Sequence, residues 1–345
     1  MIAAIGQSRR DGRPLPVLPA HAGAVFLRRL AVGCACLLAG GCAGIQSTFS
    51  VFGVEAQATR SLTWAMIIGA TVITVGVYWL AVHAVRAPAE RLDHQNGMRV
   101  ILWLGAVAPT LILAVLMAST LPTMRTLAAK PADLEIAVEG KQFWWRVQYR
   151  PAEGNVVEAA NEIRVPVGRT ITFSLASPDV VHSFWIPGLA GKMDMIPGRT
   201  NKLVVQATAA GEYRGACAEL CGLSHARMAF DVIAMEADEF DRWLLEQARP
   251  AVADDGPGGH LFDDYGCGGC HAVRGQVKGS TIGPDLTHFG SRRSVAAGTL
   301  PMTGEAVEGF IRDPFTSKPG ALMPAFADMP TEDAQAIAAW LMELR

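Results

Sequence analysis

The sequence predicts a multidomain membrane protein with two apolar helices first, a β-rich domain next and a small helical domain last. Three observations predict this order. Two nearly uncharged runs are long enough to cross a bilayer. The stretch that follows them alternates apolar and polar residues with the period of half-buried strands. The C-terminal part shows helical spacing around a Cys-x-x-Cys-His motif. A chain of 345 residues has room for two or three such units.

Composition limits the classes of function. Half of the residues are hydrophobic and the mean hydropathy is +0.25, which is too high for a purely soluble protein and too low for a polytopic transporter. A net charge of −2, with no basic run and no Gly-rich phosphate loop, argues against nucleic acid as a partner. No acid–base pair or activated nucleophile stands out, so the sequence does not predict a bond-breaking site.

The N-terminus predicts an export signal. Arg28 and Arg29 precede the short apolar run 30–38, and Ala39-Gly-Gly-Cys42 follows as a small-residue cleavage site. This site resembles a bacterial lipoprotein box, with Cys42 as the lipidated first residue of the mature chain. A plain signal peptide or an uncleaved apolar helix is the alternative. Residues 1–41 are therefore assigned to a lipoprotein-like signal peptide.

Residues 42–130 predict a transmembrane hairpin. Its two helices are expected at about 62–85 and 100–120, since each run is about as long as a bilayer is thick. Pro109 is expected to kink the second helix. The hairpin keeps both chain ends on one side of the membrane, and the export signal places that side outside the cytoplasm. Two helices with few polar residues are better explained as a docking element than as a channel.

Residues 131–248 predict an all-β domain. The segments 162–167 and 170–175 alternate apolar and polar positions, and Gly, Pro and Asp separate such segments. Short strands with these turn signals are typical of a Greek-key sandwich or barrel.

The most informative motif lies within this domain. Cys217, Cys221, His225 and Met228 fall within a dozen residues, and His182 adds an imidazole upstream. Soft sulfur ligands with imidazoles suit copper, and two thiolates can bridge two metal ions, so a binuclear copper centre that carries electrons is predicted. A disulfide between the two cysteines and a structural zinc site with His182 are the alternatives. Neither explains Met228.

The segments 179–201 and 211–217 around this motif closely resemble subunit II of the haem-copper cytochrome c oxidases. The resemblance implies a cupredoxin fold with a CuA centre. It also implies that the Glu219 side chain helps to bind a magnesium or manganese ion at the contact with subunit I. Matched position by position, the CuA ligands are His182, Cys217, Cys221, His225, Met228 and the backbone carbonyl of Glu219.

A second redox site is predicted by Cys267-Gly-Gly-Cys270-His271. This spacing suits covalent attachment of a c-type haem through Cys267 and Cys270, with His271 as the proximal ligand. A thioredoxin-like redox motif is the alternative. The loop 283–286 resembles the segment of class I cytochromes c whose proline carbonyl accepts the proximal histidine N–H.

The distal haem ligand is expected to be Met323. The segment 323–326 resembles the part of class I cytochromes c that carries the distal thioether, and His/Met ligation raises the reduction potential. Met302 and Met329 are the competing candidates, both better explained as packing residues. Residues 260–345 are therefore expected to form an all-α class I cytochrome c domain, joined to the copper domain by the flexible linker 249–259.

Electron entry is less clear in the sequence. Phe143 stands where the resemblance implies an electron-entry tryptophan, which puts direct capture from a soluble cytochrome in doubt. Trp144 and Trp145 are candidate entry residues, and the alternative is that they are core or interface aromatics. A fused haem domain could donate internally instead.

The combined resemblance implies subunit II of a caa-type respiratory cytochrome c oxidase, an electron-transporting subunit of a translocase. Electrons from the fused haem or from an external cytochrome c are expected to pass through CuA to subunit I, where oxygen is reduced. The expected partners are subunits I and III, the membrane, and cytochrome c or a cytochrome bc complex as donor. The expected location is the bacterial inner membrane, multi-pass, with both redox domains on the periplasmic side. The alternatives are a subunit of a nitric oxide reductase and a membrane-tethered copper-binding module.

Overall fold

The computed structural model describes residues 44–88, 94–123, 132–150, 156–252, 256–277 and 279–345. The predicted signal peptide and Cys42 lie outside these ranges. Helix α1 spans Val54–Arg86. The second apolar segment begins as helix α2, His94–Leu102, passes through a π-helical turn at Trp103–Val107 and continues as helix α3, Ala108–Thr123.

Two helices among the described residues are long and apolar enough to cross a membrane, Val54–Arg86 and Gln95–Leu121. Both extend beyond the predicted limits. The π-helical turn ends directly before Ala108 and Pro109, because the proline ring crowds the carbonyl four residues earlier and a wider turn relieves the contact. The predicted irregularity at Pro109 therefore takes the form of a π-helical turn.

Helix α1 also reaches the β-rich domain. Phe52, just before the helix, is fully buried and stacks on Tyr213 with ring centroids 3.4 Å apart. The Gln57 side chain donates to Thr208 Oγ1 at 3.0 Å. The first turns of the helix therefore belong to a packed junction, which explains why the helix begins eight residues before the predicted apolar run.

The β-rich domain is a sandwich of two five-stranded sheets. The strands are β1 Leu134–Lys141, β2 Trp144–Arg150, β3 Val157–Ala160, β4 Glu162–Pro166, β5 Thr170–Ala176, β6 His182–Trp185, β7 Met193–Met195, β8 Asn201–Gln206, β9 Gly211–Cys217 and β10 Ala229–Met235. The first sheet has the order β3-β2-β1-β5-β8 and the second the order β4-β10-β9-β6-β7. Strands β1 and β5 pair in parallel, as do β4 and β10, and the remaining neighbours are antiparallel.

The core between the sheets is rich in aromatic residues. Trp145, Phe184 and Phe230 are fully buried and pack edge-to-face or stacked, with centroid separations of 5.0 to 5.9 Å. Helix α4, Ala237–Gln247, packs against the sandwich and buries Phe240 in the same core. Its Asp241 accepts two hydrogen bonds from Arg169, at 2.7 and 2.5 Å.

The C-terminal domain is mostly helical. Its helices are α5 Pro257–Asp264, α6 Gly304–Arg312, α7 Pro314–Ser317 and α8 Thr331–Glu343, and a two-stranded sheet pairs β11, Ser294–Val295, with β12, Leu300–Pro301. Helix α5 begins inside the predicted linker because Pro257 suits the first helical position. Its Phe262 packs on Trp340 of α8 at the centre of the domain core.

Candidate metal centres

Residues 217–228, named here the metal loop, join two neighbouring antiparallel strands. Strand β9 ends at Cys217 and β10 begins at Ala229, with Ala216 opposite Ala229 in the pairing register. The Cys217 amide donates to the Met228 carbonyl at 2.9 Å and closes the base of the loop. The hairpin therefore fixes both ends of the loop by backbone pairing.

His182 comes from β6, which lies next to β9. Because Phe184 is opposite Cys217 in the register, His182 lies at the same end of the sheet as the metal loop. Its ring is fully buried, with Nδ1 3.8 Å from Cys217 Sγ and Nε2 2.9 Å from Asp179 Oδ1. A carboxylate on Nε2 fixes the ring orientation and leaves Nδ1 for a metal.

The sulfur atoms lie in contact without a bond between them. Cys217 Sγ and Cys221 Sγ are 3.8 Å apart, far from the roughly 2.05 Å of a disulfide. Cys221 Sγ is 3.7 Å from His225 Nδ1 and 3.8 Å from the Met228 sulfur. His182, Cys217 and Cys221 place one donor atom each within 4.8 Å of one another. Two central sulfurs with a histidine beside each of them are the donor set that two bridged copper ions require.

Glu219 presents its two oxygen-bearing groups to different surroundings. Its backbone carbonyl lies 3.2 Å from Cys217 Sγ, within the cluster. Its half-exposed carboxylate lies 3.9 Å from Lys192 Nζ. Lys192 in turn contacts Asp194 at 2.9 Å. One residue therefore offers a carbonyl oxygen to the sulfur cluster and a carboxylate to the exterior.

These contacts shift the pKa values of the thiols and of the His182 imidazole. The hydrogen-bonding contact between the two sulfurs lowers the pKa of Cys217 and raises the pKa of Cys221. Burial disfavours the charged form of His182, but contacts with Cys217 and Asp179 outweigh it and raise the pKa of the imidazole. Metal binding needs both sulfurs as thiolates and the imidazole neutral, so loading of the site must release protons.

The aromatic residues at 143–145 have three different environments. Trp145 is fully buried, and its ring centroid is 6.3 Å from that of His182. Trp144 is half-buried beneath the Lys141 ammonium, 5.3 Å from the ring centroid. Phe143 is 4% exposed. Trp145 is thus a core residue beside a metal ligand, whereas Trp144 reaches the surface.

Two polar residues of this site carried no clear signal in the sequence. Asp179 accepts hydrogen bonds from the Gln142 amide at 2.7 Å and contacts His182. The Gln142 side chain donates to the Cys221 carbonyl at 2.5 Å. An acidic residue three positions before a candidate histidine ligand is a signal that could have identified Asp179. The role of Gln142 depends on contacts distant in sequence.

The Cys-x-x-Cys-His motif forms a tight turn in the C-terminal domain. A 3₁₀ turn spans Cys267–Gly269, and the His271 amide donates to the Cys267 carbonyl at 3.0 Å. Cys267 is half-buried and Cys270 is exposed, and both thiols are free. The turn therefore presents both sulfurs and the imidazole on one short segment, as covalent haem attachment requires.

His271 is oriented by the loop that the sequence singled out. Its Nδ1–H donates to the Pro284 carbonyl at 2.8 Å, which leaves Nε2 for iron. Burial lowers the pKa of His271, so the ring is neutral and able to bind metal. This observation fits the haem expected from the motif.

The three candidate methionines differ in burial. Met323 is half-buried at the margin of the domain core, close to Phe326 along the chain. Met329 is 4% exposed and belongs to that core, and Met302 packs against the core. A side chain at the margin can turn toward a bound group, whereas the buried Met329 is a packing residue.

Comparison with protein families places both domains. Residues 146–235 match the family described as the periplasmic domain of cytochrome c oxidase subunit II. Residues 257–345 match the cytochrome c family. The two matches follow one another along the chain in the order that the two candidate sites predict.

The chain is similar to known oxidase subunits over most of its length. Cytochrome c oxidase subunit 2 of Alkalihalophilus pseudofirmus is 40% identical over 263 residues, which cover 73% of this chain and 75% of that protein. The protein of the same name from Bacillus sp. (strain PS3) is 33% identical, over 71% of this chain and 74% of the relative. The crystal structure of the periplasmic domain of subunit II of cytochrome oxidase of Bradyrhizobium japonicum is 34% identical, covers 34% of this chain and 96% of that domain, and has a TM-score of 0.33.

The two family matches agree with the sulfur cluster in the first domain and with the haem-attachment turn in the second. The chain belongs to the cytochrome c oxidase subunit II family, as a membrane-bound electron-transfer subunit of the oxidase complex with a periplasmic CuA domain and a fused cytochrome c domain.

Proposed function

We propose that specific residues hold the two redox groups of this subunit. CuA would be bound by the side chains of His182, Cys217, Cys221, His225 and Met228 and by the Glu219 carbonyl. Haem c would be attached to Cys267 and Cys270, with His271 and Met323 as axial ligands. When bound, both groups supply one-electron redox chemistry at a position that the protein sets.

A single observation supports the copper assignment most strongly. The two thiol sulfurs lie 3.8 Å apart, unbonded, and each has a histidine Nδ1 at 3.7 or 3.8 Å. A zinc site of the Cys₂His₂ type would also use these four donors, but it would leave the Met228 sulfur, 3.8 Å from Cys221, without a role.

The surrounding residues keep this site rigid and dry. Cys217, Cys221 and Met228 are members of the sandwich core, and His182 is fully buried. Asp179 orients His182, and Gln142 holds the Cys221 carbonyl. A site whose ligands are locked by packing and hydrogen bonds changes little when its charge changes, which favours rapid electron exchange.

The Glu219 carboxylate is the candidate ligand for the magnesium or manganese ion. It is half-exposed, next to Lys192 at 3.9 Å, and its own carbonyl faces the copper ligands. A carboxylate is a suitable ligand for such a hard cation. In this proposal the ion is shared with subunit I. Glu219 alone separates the ion from the copper site, because its carboxylate would bind the ion and its carbonyl would bind copper.

In the wider complex, this chain would contact the membrane, other oxidase subunits and an electron donor. Subunits I and III surround the two apolar helices in the bacterial inner membrane, and cytochrome c or a cytochrome bc complex reduces the haem. The long exposed apolar faces of the helices support a membrane location with neighbouring subunits. Lipidation of Cys42 would add a second anchor on the periplasmic side.

Metal counting combined with spectroscopy tests the two sites. The purified oxidase should contain two copper ions for the CuA domain and one covalent haem c in this chain, in addition to the metals of the other subunits. The copper electron paramagnetic resonance signal should show coupling to two equivalent nuclei. A disulfide between Cys217 and Cys221, or zinc in their place, would contradict the copper assignment.

The other functions considered from the sequence are not favoured. Two relatives, 40% and 33% identical to this chain, carry the name cytochrome c oxidase subunit 2. A copper-delivery module would need an exchangeable ion and no haem, whereas residues 257–345 match cytochrome c.

A further inference from the structure

The cytochrome c domain makes direct hydrogen bonds with the metal loop. Ser224 Oγ donates to the Pro319 carbonyl at 2.7 Å. Arg227 Nη1 donates to the carbonyls of Thr316 and Ser317 at 3.1 and 2.5 Å. Ser224 and Arg227 flank the proposed ligand His225, so residues 316–320 lie on the loop that would carry copper. These residues are named here the second docking segment, because another docking segment precedes them in the chain.

A first docking segment, residues 293–299, lies beside the same loop. The Ala229 amide, next to Met228, donates to the Ala297 carbonyl at 3.0 Å. Thr299 Oγ1 donates to the Arg227 carbonyl at 3.1 Å. The metal loop and the residue after it are therefore held by the cytochrome domain from two sides.

Further polar contacts extend this interface over the sheet. Arg214 donates to the Gly298 carbonyl at 2.6 Å, and the Arg293 amide donates to Glu162 Oε2 at 3.1 Å. Arg293 also pairs with Glu212, and the Ser294 hydroxyl donates to Asp231. Charge-assisted hydrogen bonds of this kind are the stronger ones, and backbone partners give them a fixed geometry.

The two docking segments are also tied to each other. Lys318, which is 4% exposed, donates from Nζ to the Ala296 carbonyl at 2.7 Å. On the second segment, a Cβ at Gly320 would lie 3.3 Å from Phe143 and 3.4 Å from Leu223. The position that would hold an electron-entry tryptophan is thus covered by the chain's own cytochrome domain.

We propose that Ser224 and Arg227 form a latch that keeps the cytochrome domain docked on the metal loop, so that the two centres exchange an electron at one fixed separation. Arg227 is a positioning residue in this proposal. The linker then serves to join two docked bodies and not to let the haem domain swing. The consequence for electron transfer rests on the proposed function, but the docking itself does not.

The experiment uses the intact oxidase complex and follows amide hydrogen exchange at Ala229 and Arg293, whose amides donate across the interface. Arg227→Ala removes both of its bonds to the second segment and should speed exchange at both amides by about tenfold. Haem-to-copper electron transfer after flash reduction should slow in proportion to the fall in the docked fraction, because only that fraction is competent.

A matched control and a second variant keep the outcome clear. Arg242→Ala removes an arginine that, among the described residues, donates within its own helix, to the Asp238 carbonyl, and it should change neither rate. The double variant Ser294→Ala with Thr299→Val weakens docking from the cytochrome side and should speed exchange at Ala229 with unchanged copper absorption.

Two results separate the docking proposal from the proposed function. Exchange at Ala229 and Arg293 as fast as in an unstructured peptide, in a complex with intact copper and haem spectra, would overturn the latch. Unchanged exchange in both Arg227→Ala and the double variant would overturn it as well. Loss of the copper or haem spectrum from the unmodified complex would instead count against the ligand assignments.

Discussion

The copper domain and the cytochrome domain prepare their redox sites in different ways. In the copper domain, Cys217, Cys221 and Met228 are members of the buried core. In the cytochrome domain, Cys267 and Met323 lie at the margin of the core, and Cys270 is exposed. The first site is assembled by strand pairing, whereas the second is a partly open surface that the haem itself must complete. Removal of the copper ions and removal of the haem should therefore have very different structural consequences.

The largest expected effect is on domain stability. Cys267→Ala with Cys270→Ala would prevent haem attachment and should remove most of the roughly 5–15 kcal/mol typical of a folded domain, because the haem would cover the partly open side of the helical core where Cys267 and Met323 lie. Cys217→Ser with Cys221→Ser prevents copper binding but should cost the sandwich only about 1–3 kcal/mol. Limited proteolysis and scanning calorimetry of the whole complex measure both.

The opposite pattern would contradict this comparison. Rapid cleavage within 132–248 in the double serine variant, with an intact 257–345 fragment in the double alanine variant, would mean that the copper site organises its domain and that the haem does not.

The same contrast explains what the sequence could and could not predict. The cluster in the metal loop was predictable because the four proposed side-chain ligands fall within a dozen residues, and a hairpin keeps neighbours in sequence close in space. His182 could be named as a candidate from its imidazole alone, but its place beside Cys217 depends on the pairing of β6 with β9, which no local pattern encodes. The two domains and their order were likewise visible in motifs and periodicity.

Other features depend on contacts that no local pattern encodes. The early start of helix α1 follows from the packing of Phe52 on Tyr213, far apart in the chain. The docking of the cytochrome domain depends on backbone carbonyls such as those of Ala297 and Pro319, which every sequence contains. The sequence therefore predicted a flexible linker but not the interface that restrains it.

The second largest effect is expected at the two histidines His271 and His182, because a glycine lies against the imidazole ring of each. A Cβ at Gly283 would lie 2.7 Å from His271 Cε1, and one at Gly140 would lie 3.0 Å from His182 Cγ. Gly283→Ala should therefore cost about 1–3 kcal/mol and shift the haem reduction potential. Gly140→Ala should have the smaller effect and alter only the copper spectrum. Thermal unfolding and redox titration of each variant measure these changes.

Gly309→Ala is the matched control, because a Cβ there meets no atom within 4 Å and alanine favours a helix. If Gly140→Ala shifted the haem potential as strongly as Gly283→Ala does, the two sites would not be independent.

A smaller effect is expected from changing one thioether. Met228→Leu keeps the side-chain volume, so it should cost less than about 1.5 kcal/mol, yet it removes a sulfur that lies 3.8 Å from Cys221. The near-infrared copper band should shift while the haem spectrum stays the same. Met329→Leu, in the core of the other domain, should leave both spectra unchanged. Equal damage to the copper and haem spectra in Met228→Leu would argue against two separate centres.

The smallest expected effect tests whether the copper domain responds to acid as its own unit. Arg169 lowers the pKa of Asp241 from its ordinary value of 3.8 through a two-bond contact that ties helix α4 to the sandwich. Because the folded-state pKa is the lower one, the ion pair stabilises the domain fully above pH 3.8 and loses this contribution as the pH falls through the folded value. The pair is partly exposed, so Asp241→Asn should cost less than about 1 kcal/mol at neutral pH, and the difference from the unmodified chain should vanish in acid. Calorimetry between pH 2 and 7 should show the change in the copper-domain transition alone, since Arg169 and Asp241 both belong to that domain. A matching shift in the cytochrome-domain transition would mean that the latch couples the two domains so tightly that they unfold together.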